Sequence, residues 1–188
     1  MVGASPSFSD EHVVRTLLAL ERGKVGRKRL VRLLGLGEGS VRTILKKLGD
    51  QSLIRSSRQG HELTPEGKLR VGDYLEGFTS PQEFHPGDLS EGFKSLLIVH
   101  NASDKIKTGM KQRDIALASG ADGALILVFR DNNLEFPAPG VRLSEFPETG
   151  QELGRMKLGE GDVVVISFGK TQVKAEDGAV AIALELTK

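Results

Sequence analysis

The stretch that most restricts this chain is LVRLLGLGEGSVRTILKKLGDQSLI, residues 30–54. Leu30, Leu33, Leu34 and Leu36 recur at helical spacing. Gly35, Gly37 and Gly39 then interrupt the period, and Val41, Ile44, Leu45 and Leu48 resume it. Glycine is costly inside a helix and useful where the chain reverses. The pattern therefore predicts two short amphipathic helices joined by a tight glycine-containing turn. Between its apolar positions the second helix carries Ser40, Arg42, Thr43, Lys46 and Lys47, so that one face is apolar and the other is cations and hydroxyls.

A face of that kind suits phosphates and base edges, and the charge distribution points the same way. The formal net charge is only +1, yet residues 22–58 hold 11 Lys and Arg against 2 Asp and Glu. Residues 1–78 carry a net +5 and residues 79–188 a net −4. Solvated helix faces normally mix both signs, whereas a basic segment is the electrostatic footprint of a nucleic-acid-binding module.

Around this core the chain reads as a small domain. Ser9 is placed to cap a first helix, with Val13, Leu17, Leu18 and Leu20 as its buried stripe and Gly23 as its end. Gly26 to Leu34 forms the second helix, whose Arg27, Lys28 and Arg32 suit backbone phosphates. The third helix starts near Gly37 and places Ser40, Arg42 and Thr43 in its first two turns. Arg42 is spaced for a base contact, and Lys46 and Lys47 for phosphates. Leu53–Ser57 and His61–Thr64 read as strands about an Arg58-Gln59-Gly60 turn, with Arg55 and Arg58 on the hairpin beside a groove. Pro65 opens a further helix where its missing N–H is harmless.

The run RLLGLGEGSVRTILKKLGDQSLIRSSRQGHELTPEGK resembles the winged helix-turn-helix of bacterial and archaeal transcriptional regulators. The resemblance covers roughly residues 10–78 and rests on Ser-Val-Arg followed by Leu-Ile and Leu-Thr-Pro-Glu-Gly. It departs at the cap of the third helix, where Gly37 replaces the usual Ser or Thr. The resemblance implies binding to double-stranded DNA as a homodimer, often on an inverted repeat.

The remaining sequence limits the compartment and the chemistry. There is no Cys, which excludes disulfides and thiolate metal sites and suits a reducing cytoplasm. The segment Met1–His12 lacks the basic and apolar regions of a signal peptide. No apolar run approaches the roughly 18–20 residues of a membrane helix, so no membrane partner is expected. The four histidines lack metal-ligand spacing. Gly35-Leu36-Gly37-Glu38-Gly39 follows a helix, and Gly169-Lys170-Thr171 lacks the earlier glycine of a phosphate loop, so no cofactor or catalytic motif is implied.

Residues 79–93, rich in Pro, Gly and Ser, read as a linker between a domain at 1–78 and another at 94–188. In the latter, apolar runs at 96–99, 124–129 and 163–168 alternate with helical stretches at 108–119 and 148–156. The alternation predicts a small α/β domain, covered on both faces of its sheet, after the α+β winged helix-turn-helix domain. Residues 171–186 alternate as a strand does, yet their Ala content and Thr171 at a capping position favour a helix. This half looks like the uncharacterised C-terminal domain that accompanies winged-helix modules in some archaeal proteins. In open α/β sheets ligands collect at the carboxyl ends of strands. His100, Asn101, Ser103, Lys111, Arg113 and Arg130 are thus candidate ligands for a small anionic effector. The function expected is a DNA-binding transcriptional regulator whose second domain senses an effector or dimerises. The alternatives are a metabolite-binding protein or enzyme with an accessory winged helix, and a protein-interaction module.

Overall fold

The structure, a computed structural model, describes residues 8–188. Residues 1–7, the start of the segment read as lacking a leader, lie outside the described residues. The chain forms two compact units, the first ending at Leu75 and the second running Glu76–Lys188. No helix among the described residues is long and apolar enough to cross a membrane.

The first unit contains α1 (Asp10–Glu21), α2 (Arg27–Leu34), α3 (Glu38–Asp50), β1 (Ile54–Ser57), β2 (Gly60–Leu63) and most of α4 (Pro65–Gly77). Gly35 ends α2 in the left-handed conformation, φ 62°, ψ 24°, which a residue with a side chain adopts at a cost. Arg15 of α1 donates from its guanidinium to the Leu33 carbonyl at 2.8 Å, satisfying one of the acceptors left open at the end of α2. Beneath α3, Val41, Ile44 and Leu48 are fully buried, as is Leu30 of α2. Each such side chain contributes about 1.5–3 kcal/mol by leaving water.

The hairpin strands pair antiparallel, Ile54 with Leu63 through Ser57 with Gly60. Its turn is Arg58-Gln59, so Gly60 belongs to β2 rather than to the turn. Val25 adds an edge to it, exchanging backbone hydrogen bonds with His61 at 3.0 and 2.9 Å.

The Leu-Thr-Pro-Glu-Gly run is a joint. Thr64 Oγ1 accepts from the Gly67 amide at 3.0 Å and donates to the Ser52 carbonyl at 2.6 Å, fastening the start of α4 to the chain just after α3. A Cβ on Gly67 would lie 2.0 Å from the Leu53 carbonyl oxygen.

The second unit holds β3 (Gln82–Glu83), β4 (Phe93–Val99), α5 (Met110–Ala118), β5 (Gly123–Arg130), β6 (Asn133–Glu135), α6 (Pro147–Leu153), β7 (Val163–Gly169) and α7 (Gln172–Leu186). The strands form one sheet in the order β3-β4-β7-β5-β6, antiparallel at every junction. β4 and β5 run parallel to each other, as a helical crossover demands, but β7 lies between them. Because β7 is central it is buried along nearly its whole length, hence its continuous apolar run.

Alternation divides the sheet. Val163, Val165 and Ser167 share the face that carries α5 and α7, where a Cβ on Gly178 would lie 2.3 Å from Ser167 Oγ and 3.4 Å from Ala116 Cβ. The opposite face buries Leu96, Ile98, Leu127, Val164 and Ile166 with Phe84 and Leu153. Its cover is fastened by a reciprocal clamp. Asp88 accepts from the Glu148 amide at 2.7 Å and from Thr149 Oγ1 at 2.6 Å, while Glu148 accepts from the Gly87 amide at 2.8 Å. Desolvation pushes the Asp88 pKa up, but the hydrogen bonds from Thr149 and Glu148 together outweigh it and hold the carboxyl below its ordinary range.

Two expectations change and a third holds. The second unit is α+β rather than α/β, since its sheet is antiparallel and both long helices lie on one face. The stretch 79–93 is not a linker: β3 pairs with β4, and Phe84 is only 3% exposed. The tail is a helix, capped by Thr171, whose hydroxyl accepts from the Lys174 amide at 3.3 Å.

Substituting Gly67→Ala forces its new methyl against the Leu53 backbone and is expected to cost about 1–3 kcal/mol by overpacking. Gly72→Ala on the same helix, where a Cβ meets nothing within 4 Å, should be neutral or stabilising. Thermal melts of the two variants check this.

Candidate nucleic-acid interface

The side chains of α3 divide by burial. Val41, Ile44, Leu45 and Leu48 face inward, while Arg42, Thr43, Lys46 and Lys47 are exposed and Ser40 is half-buried. Thr43 Oγ1 donates back to the Gly39 carbonyl at 3.0 Å. Among the described residues Arg42, Lys46 and Lys47 have no ion-pair partner. Arg27 and Lys28 are exposed at the start of α2 and Arg32 in its last turn. Arg29, which the sequence reading passed over, is exposed beside them. Its place in the basic run Arg27-Lys28-Arg29 was the available signal.

The hairpin arginines differ. Arg58 is exposed at the turn, whereas Arg55 Nε donates to Glu62 Oε1 at 2.7 Å. Lys24 Nζ lies 3.5 Å from the other Glu62 oxygen. These partners, with the Arg55 hydrogen bond first, outweigh desolvation and hold the Glu62 carboxyl below its ordinary range. Counting outward from a two-residue turn pairs Arg55 with Glu62, while a three-residue turn that includes Gly60 hides the pair.

His61 sits on β2 with its Nδ1 2.8 Å from Ser56 Oγ. Partial burial, and then the Arg27 guanidinium, push its pKa below the ordinary histidine value. Folding therefore favours the neutral imidazole, and Arg27 lies close enough to the hairpin to be felt there.

In the second unit, His100, Asn101, Ser103 and Arg130 do come together, where β4 and β5 end and β7 begins. His100 Nδ1 is 3.1 Å from Asp162 Oδ1, and the buried Asp162 accepts from the Gly159 amide through Oδ2 at 2.8 Å. Asn101 is left-handed, φ 50°. The Ser103 amide donates to the Gly161 carbonyl at 2.9 Å, and Arg130 donates to the Ser103 carbonyl. Lys111 is elsewhere engaged, paired with Glu185 of α7, and Arg113 is exposed on α5. The argument from carboxyl ends of parallel strands does not apply to this antiparallel sheet. Asp162, the partner of His100, was missed because only the topology brings residues so far apart in sequence together.

Residues 91–186 match the family model described as a domain of unknown function, DUF4443. The chain belongs to that family. Residues 10–69 match the model described as the PH0730-like N-terminal domain. A solved structure, the hypothetical protein PH0730 from Pyrococcus horikoshii OT3, is similar over 96% of this chain and 94% of its own. The sequence identity is 32% and the TM-score 0.82. No curated protein matches the chain. This chain and the solved structure thus share both units and their order along the chain, and no activity travels with the likeness.

His61 checks the local geometry. Because its proton is disfavoured in the folded state, the first unit should lose stability as the pH falls from about 6.5, where unfolded chains take up that proton, through the depressed value. By NMR titration Arg27→Ala should move the His61 midpoint part of the way back, since burial is the larger cause. An unmoved midpoint would place Arg27 away from the hairpin.

Proposed function

We propose that the first unit is a winged helix-turn-helix module, that it binds double-stranded DNA, and that the protein is a cytoplasmic transcriptional regulator acting as a homodimer. The observation that carries this reading is α3. Its apolar side is sealed into the unit, and its outward side offers Arg42, Lys46 and Lys47, none of them ion-paired among the described residues. Charges left unpaired on a rigid helix suit an external polyanion. The cations of α2 and Arg58 at the hairpin turn extend the same positive surface, in roles suited to phosphates that fix register.

In this reading Arg42, early on α3, is the base-reading residue, and Lys46 and Lys47 contact phosphates. Arg55 is held by Glu62 and plays a lesser part. The sheet edge of the second unit is assigned no anionic effector, because Arg130 and Lys111 already serve internal acceptors.

Selection of genomic fragments by the purified protein, followed by salt titration on the best fragment, tests the proposal. Enrichment of a short palindrome is expected, with log affinity falling by roughly 5 or more per decade of salt for a dimer. No enrichment and no salt-sensitive binding would sink it. Arg42→Ala should weaken specific binding by about 1–3 kcal/mol more than non-specific binding. An equal loss on all sequences would reassign Arg42 to phosphate. Lys46→Ala should weaken both kinds of binding alike and lower the salt slope by about one. An unchanged slope would remove Lys46 from the interface.

A further inference from the structure

A cleft of about 550 Å³ opens within the first unit among the end of α1, the hairpin and α4. Its size falls in the range of small-molecule sites. Leu20, Leu63, Val71 and Leu75 line it, the first three of them buried. Gly72 keeps it open, since a Cβ there meets nothing within 4 Å.

The charges at the rim fall into two groups. Glu62 is already satisfied by Arg55 and Lys24. Glu21 and Lys68 are different: among the described residues neither side chain has a hydrogen-bond or ion-pair partner. Glu21 is the last residue of α1, whose final turn carries no basic residue. There its carboxylate adds to the negative end of the helix dipole. Lys68 lies early on α4, its amide bonded to the Thr64 carbonyl at 2.9 Å. The cleft therefore combines apolar side chains with one unpaired carboxylate, at the carbonyl end of α1, and one unpaired ammonium.

We propose that this cleft binds a free α-amino acid with an aliphatic side chain. The ligand's ammonium meets Glu21 and the carbonyl end of α1, its carboxylate meets Lys68, and its side chain covers Leu20, Leu63, Val71 and Leu75. A simple carboxylic acid would leave Glu21 unpaired, and a simple amine would leave Lys68 unpaired. Binding is non-covalent and does not depend on the DNA-binding reading, so either can fail without the other.

Isothermal titration of the full chain with L-leucine, L-isoleucine, L-valine and L-methionine tests the site. Saturable binding of at least one is expected. For the leucine frame, 4-methylpentanoate, which lacks the ammonium, and 3-methylbutylamine, which lacks the carboxylate, should each bind about tenfold or more weaker than leucine. Lys68→Gln should weaken the amino acid by about tenfold or more. Gly72→Leu, which fills the cleft, should abolish binding while leaving the melting temperature at or above that of the parent. Three results would overturn the proposal: no binding by any of the four amino acids, equal binding of the deaminated acid, or undiminished binding in both variants.

Discussion

The outward face of the first unit depends on the apolar seam beneath α3. A helix of this length is marginal by itself, and its helicity comes from burying one side. Val41, Ile44 and Leu48 are fully buried, which fixes the rotation of α3 about its axis and thereby decides that Arg42, Lys46 and Lys47 point outward. The same seam explains the glycines on either side. Gly35 lets the chain turn sharply enough for α2 and α3 to share Leu30 and Leu34 as a common floor, and Gly67 lets α4 approach the backbone at Leu53. Thr64, bonded to both Ser52 and Gly67, ties the two ends of that approach together. Cations on the surface of α3 are thus positioned by residues that carry no charge.

The second unit is organised by one strand instead. β7 is flanked on both edges and covered on both faces, so it is apolar but for Ser167, whose hydroxyl donates to the Gly123 carbonyl at 3.3 Å. One face is closed by helices, with Gly178 permitting close contact at Ser167. The other is closed by the short helix α6 and by irregular chain, which lacks a helix's internal hydrogen bonding and needs other fasteners. The Asp88–Glu148 clamp supplies them by tying the loop that carries Phe84 to the start of α6, which carries Leu153.

This contrast accounts for what the sequence revealed. In the first unit the decisive contacts are local, and the 3.6-residue period over Leu30–Leu48 and the hairpin residues around Arg58-Gln59 contain most of what is needed. The mistake there was a single residue of turn length, and it concealed the Arg55–Glu62 pair. In the second unit the strands were visible as apolar runs, but their order was not. β7 enters between β4 and β5 from more than thirty residues downstream of β5, and a continuous apolar run reads the same in a parallel or an antiparallel sheet. The stretch 79–93 looked like a linker because it is rich in Pro, Gly and Ser and lacks periodicity. Its contribution rests on isolated residues, Phe84 in the core and Asp88 bonded to the start of α6, which have no period to betray them.

Charge shows the same distinction between chain and space. Counted along the chain, residues 22–58 are strongly basic, and every cation among them adds equally to the sum. In the folded unit they are not equal. Glu62, just beyond that segment, is the cross-strand partner of Arg55 and takes Lys24 as well, so two of the eleven cations are already answered from within. Those on α3 are not: Glu38 and Asp50 stand one helical turn from Arg42 and Lys46, yet none of the α3 cations is ion-paired among the described residues. A polyanion laid against this unit would therefore meet its strongest attraction along the middle of α3, with the hairpin contributing mainly through Arg58. The net charge of a segment marks where to look, but the pairing within the fold decides which side chains remain to bind.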